Sequence, residues 1–265
     1  MRFAVKGGIG DFLQCLPFML AHPEHEYLVA SHFDRATEFF AAVGLHVEDL
    51  SLSSLSGVPV TSRMIGADDC PRELFFGRNP FKPVARVFSG KRPVVGIHLG
   101  GSAYSVGVEN RFGFPSKVLP WTVLDKLLDS RQYDFLLFGS RAEIAKIDDD
   151  RCVYLEECQH LEVVCDEDAT VSLSHVAECS ALIGSDSAFK TMSSMLRIPT
   201  VVWIGDYRDD HRDYRFINPY VKASVMGVYR YFDLTKPGQV ARGIAVTNMV
   251  LDRFGRKLAT LESCS

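Results

Sequence analysis

Residues 181–205 read ALIGSDSAFKTMSSMLRIPTVVWIG and predict a strand, a helix and a second strand in that order. The runs 181–184 and 200–204 are apolar without alternation, which is typical of strands buried on both faces of a sheet. The Ser-Asp-Ser sequence that follows the first run is typical of a helix start. Two strands joined by a helix in this way form a parallel pair with a right-handed crossover.

The same alternation of strands and helices appears along most of the chain. We expect further strands at 2–6, 27–30, 45–50, 94–99, 135–138 and 152–155, and further helices at 11–21, 35–43, 120–128, 173–179, 239–254 and from 142. A Pro-rich break over 79–93 separates two such series. We therefore predict an α/β fold with two Rossmann-like domains that face each other across a cleft, at 1–88 and 89–238, and a final segment, 239–265, that returns to the first domain.

The composition is that of a folded globular protein. Of the 265 residues, 47% are hydrophobic and 23% are charged, and the formal net charge is −4. This balance excludes a disordered or fibrous chain, and the charge gives no support for general binding to polyanions. No apolar run reaches the roughly 18–20 residues that span a bilayer, so we expect a cytoplasmic protein. The seven cysteines include no C-x-x-C pair, which favours reduced, packed thiols over zinc or redox chemistry.

Ligands of such sheets bind beyond the carboxyl ends of the strands. This rule selects five loops as the predicted binding region, at 7–11, 100–105, 139–143, 184–188 and 205–215. Glycines, serines and charged residues are frequent in these loops. The glycines allow close approach of the backbone to a ligand.

The motifs in these loops resemble those of the heptosyltransferase-type glycosyltransferases, and they occur in the same order. They are Gly8-Ile9-Gly10-Asp11-Phe12-Leu13 with Leu16-Pro17, Val95 to Ser102, Lys117-Val118-Leu119-Pro120, Phe138 to Glu143, and Ile183 to Ala188 with residues 196–200. The sequence departs from the family pattern at Ala188, where the family has Gly, and at Thr191, where it usually has His. Lys190 adds a positive charge to that turn.

The resemblance implies the GT-B arrangement and transfer of a sugar from a nucleotide-diphosphate donor to a hydroxyl of a saccharide acceptor. It implies no metal and no other cofactor. The family acts on lipopolysaccharide-type acceptors, so the resemblance also implies a protein that is cytoplasmic or peripheral at the inner membrane face. A modified base in DNA is an alternative acceptor. A non-catalytic module that binds nucleotide sugars is an alternative function.

The resemblance assigns two catalytic residues. Asp11 matches the family's general base, which takes the proton of the attacking hydroxyl. From the residues alone, an Asp just after glycines is better explained as a helix cap. Lys117 matches the lysine that binds the donor pyrophosphate, whose negative charge grows as it leaves. Its alternative is a solvated lysine before a helix.

Further residues are candidates for binding. Exposed N–H groups at a helix start hold phosphate, although the same small residues also suit a cap without a ligand. The candidate donor-binding residues are Gly100, Gly101, Ser102, Gly139, Glu143, Ser185, Asp186, Ser187, Ala188, Lys190 and Thr191. The candidate acceptor-binding residues are Gly8, Gly10, Arg208 and Arg212.

Two other kinds of site are disfavoured by the pattern. Asp209, Asp210 and His211 are adjacent in sequence, and adjacent residues seldom converge on one ion, so we predict no metal site there. A dinucleotide fingerprint requires G-x-G-x-x-G, and Leu13 stands where the third glycine belongs. A nicotinamide-dependent oxidoreductase is therefore the weakest alternative.

Overall fold

A computed structural model gives the structure of the chain. The residues that it describes are 1–31, 33–50, 63–64, 78–90, 92–100, 119, 121–141, 143–144, 157–165, 168–185, 187–204, 230–233 and 238–262.

The first sheet has four parallel strands. They are β1 (Arg2–Gly7), β2 (Glu26–Ser31), β3 (Glu48–Leu50) and β4 (Arg63–Met64), in the order β3-β2-β1-β4. Helix α1 (Ile9–Ala21) follows β1, and α2 (Ala36–Ala41) follows β2. Each pairing is parallel, with Phe3 opposite Tyr27 at the centre of the sheet.

The second sheet has six parallel strands in the order of a complete Rossmann domain. They are β5 (Val94–His98), β6 (Asp134–Phe138), β7 (Leu161–Val164), β8 (Ala181–Ser185), β9 (Thr200–Ile204) and β10 (Arg230–Asp233). Their order is β10-β9-β8-β5-β6-β7, which runs 6-5-4-1-2-3 when counted from β5. The helices are α3 (Trp121–Leu128), α4 (Ala169–Ser174), α5 (Ala188–Met195) and α6 (Gln239–Glu262), and a 3₁₀ turn covers His175–Glu178.

One apolar core joins the two sheets. It contains Phe12 and Leu16 of α1 together with Phe138 of β6 and Met192 of α5, all essentially inaccessible to solvent. Burial of each side chain of this size stabilises the fold by about 1.5–3 kcal/mol. Helices α1 and α5 approach each other closely because small residues line their contact. A Cβ placed on Gly10 would lie 3.7 Å from the backbone nitrogen of Ala188. The starts of α1 and α5 therefore contact each other directly.

A second core lies on the other face of the second sheet. Helix α3 and the start of α6 cover it, and Val250 and Leu251 of α6 are buried there beside Trp203. The buried side chains of α6 thus pack on the second sheet. The domain boundaries and the return of the final segment to the first domain stay predictions.

Most of the predicted elements are confirmed, but the helix predicted at 173–179 is instead the end of α4 and the 3₁₀ turn at His175–Glu178. Strands β4, β7 and β10 were not expected from the sequence, and all three lie at edges of their sheets. In β7 the two central residues, Glu162 and Val163, are exposed, so the strand lacks the apolar run that marks its neighbours. The strand predicted at 152–155 lies outside the described residues. Among the described residues, no helix combines the length and the apolarity that crossing a membrane requires.

Candidate active site

The order of the second sheet fixes where a ligand fits. Strands β5 and β8 are neighbours, but the chain continues from β5 to one side of the sheet and from β8 to the other. The connections diverge at this point, and the crevice between them is the usual ligand site of such a fold. His98 is the last residue of β5, and Ser185 is the last residue of β8.

Three buried polar side chains lie in a row at this crevice. Ser185 Oγ lies 3.4 Å from His98 Nδ1, and His98 Nε2 lies 4.0 Å from Glu143 Oε2. Their exposed fractions are 0% for Ser185, 2% for His98 and 8% for Glu143. Polar groups are buried in this way when they hold one another by hydrogen bonds or when they serve a ligand.

His98 was not among the residues predicted from the sequence. The position of a histidine at the end of an otherwise apolar strand, at the switch point of the sheet, is the feature that identifies it. Phe189 packs on its ring at 4.7 Å, and Phe138 stacks on Phe189 at 4.8 Å. A Cβ on Gly184 would lie 2.6 Å from the His98 carbonyl oxygen, so only glycine permits this approach of the two strands.

Glu143 caps the helical turn that follows β6. Its Oε2 accepts a hydrogen bond from Ser140 N at 2.6 Å, and Ser140 Oγ accepts one from Glu143 N at 3.2 Å. Burial raises the pKa of Glu143, and the hydrogen bonds with Ser140 oppose that effect. Glu143 thus lies in the first helical turn after β6, where it also contacts His98. Gly139, just before this turn, packs against Glu143 and Ile144.

The start of α5 has the geometry of an anion site. Ser187 is the N-cap, and its hydroxyl accepts a hydrogen bond from Lys190 N. The Thr191 hydroxyl donates to the Ser187 carbonyl at 3.4 Å and is buried. Lys190 is 1% exposed, which is rare for a lysine and adds positive charge to this part of the molecule. The dipole at the start of a helix attracts a negative group.

Asp11 lies at the start of α1. Its Oδ2 accepts a hydrogen bond from Gly8 N at 2.9 Å, which completes a capping box. Gly7 has a φ of +139°, and a Cβ at this position would overlap the Asp11 carboxylate. The capping alternative is thus observed, while the role as general base stays a prediction. Asp11 is exposed to solvent.

The structure brings part of the predicted site together. Gly8, Gly10 and Asp11 lie at the start of α1, which contacts the start of α5 with Ser187 and Ala188. Gly100 is buried just beyond β5. The remaining predicted residues lie outside the described ones: Gly101, Ser102, Lys117, Asp186, Arg208 and Arg212.

A groove lies near this junction. It is lined by residues after β2, including Phe33 and Arg35, and by Asp168 to Thr170 after β7. It is far smaller than a typical ligand pocket. It lies between segments that follow strands of both sheets.

Two parallel Rossmann-like sheets in one chain define the GT-B class, and this predicted fold is confirmed by solved structures. The chain superposes on the ADP-heptose lipopolysaccharide heptosyltransferase II of E. coli with a TM-score of 0.58, at 14% identity, over 96% of this chain and 99% of that one. It also superposes on a family 9 glycosyl transferase of Veillonella parvula with a TM-score of 0.54, at 10% identity, over 97% of both chains.

Enzymes of another class share the fold. The UDP-GlcNAc 2-epimerase of Methanocaldococcus jannaschii, solved with UDP-GlcNAc and UDP, has a TM-score of 0.54 at 8% identity over 100% of both chains. No protein-family model matches the chain, and no curated protein matches its sequence. The resemblance to heptosyltransferases is therefore confirmed at the level of the fold, and a fold alone does not assign a reaction.

Proposed function

We propose that the chain is a glycosyltransferase that takes its sugar from a nucleotide-diphosphate donor. The observation that carries this proposal is the contact between the starts of α1 and α5, where Gly10 meets Ala188. Asp11, at the start of α1, and the first turn of α5 therefore lie on the two sides of one junction, which supports a shared role of the two in the reaction. The five motifs that resemble heptosyltransferases support transfer over epimerisation.

In the proposed reaction, an acceptor hydroxyl attacks the anomeric carbon of the donor sugar. Asp11 takes the hydroxyl proton as the new C–O bond forms. The bond between the anomeric carbon and the diphosphate oxygen breaks, and the nucleoside diphosphate leaves with both bonding electrons. The first-turn N–H groups of α5, with Lys117 and Lys190, stabilise the negative charge that develops on the diphosphate.

The row formed by Ser185, His98 and Glu143 positions this site. It ties together the carboxyl ends of β8 and β5 and the turn after β6. A site held by buried polar contacts keeps its donors aimed at the place where charge develops. His98 is a positioning residue in this scheme, because its ring lies under Phe189 and away from solvent.

The acceptor in this proposal is a saccharide of the lipopolysaccharide type, and the protein acts in the cytoplasm or at the inner membrane face. Transfer needs no metal, so EDTA leaves turnover unchanged. The proposed acceptor contacts are Gly8, Gly10, Arg208 and Arg212. A DNA acceptor remains the alternative, and it requires a basic surface in a chain whose net charge is −4.

The test is a panel of ADP-, UDP-, GDP-, CDP- and dTDP-sugars, with and without saccharide acceptors, analysed by mass spectrometry. Transfer gives a glycosylated acceptor and one nucleoside diphosphate per sugar moved. Epimerisation instead gives an isomeric sugar without acceptor. Binding without any product supports the non-catalytic module. Lys117→Ala is expected to weaken donor binding, and Lys126→Ala, an exposed lysine on α3, is the matched control.

A further inference from the structure

Three metal-ligating side chains lie together at the end of α1, away from the candidate active site. His22, Glu24 and His25 each offer one ligand atom, and the three atoms lie within 4.8 Å of one another. Helix α1 has 13 residues. At 1.5 Å per residue its two ends are about 20 Å apart. The cluster is therefore separate from Asp11 and from the proposed reaction.

The distances within the cluster fit a tetrahedral ion. His22 Nδ1 and His25 Nδ1 each lie 3.5 Å from Glu24 Oε1. Zinc binds imidazole nitrogen and carboxylate oxygen at about 2.0–2.2 Å, so the ligand atoms around it lie roughly 3.3–3.5 Å apart. The two distances from a histidine nitrogen to Glu24 Oε1 already match the spacing around zinc. The ligand atoms of the two histidines lie within 4.8 Å of each other, and this third spacing shortens when an ion binds.

Aromatic neighbours hold the two imidazole rings. The His22 ring lies 4.8 Å from Phe18, and the His25 ring lies 5.2 Å from Phe3. The two imidazoles are nearly parallel, with 9° between their planes and 5.3 Å between their centres. This packing reduces the conformational freedom that the rings would lose when they bind an ion. A nitrogen lone pair lies in the plane of its ring, so one imidazole turns out of the parallel stack when both rings bind the same ion.

One atom of the cluster lacks a hydrogen bond in the part of the chain that the structure describes. The His25 Nδ1 atom is buried, and no described donor or acceptor satisfies it. A ring nitrogen in that state is available as a metal ligand. The nearby Glu26 is not available, because its carboxylate pairs with Arg2 at 2.8 Å.

The backbone of the loop adds to this arrangement. The His22 carbonyl accepts hydrogen bonds from Tyr27 OH at 2.7 Å and from His25 N at 3.1 Å, which closes the turn. The loop also follows the C-terminus of α1, where the helix dipole favours a cation.

We propose that His22, Glu24 and His25 bind one divalent transition-metal ion, for which zinc is the best match, and that this ion fastens the end of α1 to the start of β2. Two imidazoles and a carboxylate are ligands that zinc accepts readily. Three protein ligands leave one coordination position for water. An ion that binds only the folded chain stabilises it by mass action.

The test uses the full chain after treatment with EDTA and dialysis. Zinc is titrated against a chromogenic chelator, and Co²⁺ is added as a spectroscopic probe. We expect one equivalent of zinc per chain and a rise in Tm of roughly 5–10 °C at about 100 times Kd. Glu24→Gln and His22→Ala each remove a ligand. They are expected to weaken binding by more than the roughly 10–100-fold that loss of an outer-shell partner costs.

The controls are Glu48→Gln and His46→Ala, which change exposed residues of the same sheet region. Both are expected to bind zinc with wild-type affinity and to show the visible absorption of tetrahedral Co²⁺. The proposal is overturned if the wild type binds less than one equivalent, or if Glu24→Gln and His22→Ala retain the wild-type affinity and Co²⁺ spectrum. The Co²⁺ spectrum reports coordination directly, so it distinguishes a variant that has lost a ligand from one that is less stable.

Discussion

Asp11 has an observed role in capping and a proposed role in catalysis, and a pair of substitutions separates the two. Asp11→Ala removes both the hydrogen bond to Gly8 N and the proton acceptor. Asp11→Asn keeps an oxygen that accepts from Gly8 N, because the observed bond uses a single carboxylate oxygen at 2.9 Å. Only the charge and the basicity are lost in Asp11→Asn.

The expected magnitudes follow from this geometry. Loss of a capping hydrogen bond costs about 0.5–2 kcal/mol, and the partly exposed Gly8 amide places Asp11→Ala near 1 kcal/mol. This corresponds to a fall in Tm of about 2–4 °C. Asp11→Asn loses the charge–dipole interaction alone, about 0.3–1 kcal/mol. Loss of a general base lowers kcat by about 10²–10⁴-fold, and by the same factor in both variants.

The assay measures kcat with the donor that the panel identifies, alongside Tm for each variant. Asp129→Asn, an exposed aspartate after α3, controls for the change in charge. If Asp11→Asn keeps wild-type kcat while only Asp11→Ala loses activity and stability, then Asp11 acts solely as a cap and the assignment of the base is refuted.

Three further predictions concern the second sheet. Gly184→Ala forces a Cβ against the His98 carbonyl oxygen, so urea titration should show a free energy of unfolding lower by about 1–3 kcal/mol. In the control Gly90→Ala, the new Cβ meets Asp134 only at 3.6 Å, so the free energy of unfolding should stay at the wild-type value. The raised pKa of Glu143 means that the folded state disfavours its ionised form. The wild type should therefore lose stability relative to Glu143→Gln as the pH rises above about 4.3. A stability difference in urea that does not change from pH 4 to 7 would contradict this. Deletion of residues 239–265 removes the buried Val250 and Leu251 and should abolish cooperative unfolding, and a truncated chain with wild-type Tm would exclude the packing described.

The strands of this fold were predictable where burial on both faces leaves an uninterrupted apolar run. β5, β6, β8 and β9 are such runs, and each lies between neighbours in the sheet. The edge strand β7 is held by pairing with β6 and has two exposed central residues, so its sequence carries no such pattern.

The candidate site was predictable only in part, for a related reason. The loops were located because parallel strands end on one side of a sheet. The approach of His98 to Glu143, by contrast, depends on the pairing of β5 with β6, which joins segments some 40 residues apart. The sequence offered a capping role and a functional role for Asp11, and the structure shows the cap because this bond is local. The bond between Glu143 and Ser140 is local in the same way.

The central claim, that the start of α5 binds the donor diphosphate, is tested most directly at its N-cap, Ser187. Asp and Asn cap helices equally well, so Ser187→Asp and Ser187→Asn both preserve the helix. Ser187→Asp alone adds a negative charge. Two like charges 4 Å apart repel by about 4 kcal/mol at an effective dielectric constant of 20. Solvent screens part of this energy, so binding should weaken by at least about 100-fold.

The measurement is the Kd of the nucleoside diphosphate identified by the panel, determined by calorimetry for wild type and both variants. The account predicts near-wild-type affinity for Ser187→Asn and at least about 100-fold weaker binding for Ser187→Asp. Equal affinity of all three proteins would contradict a diphosphate at the start of α5.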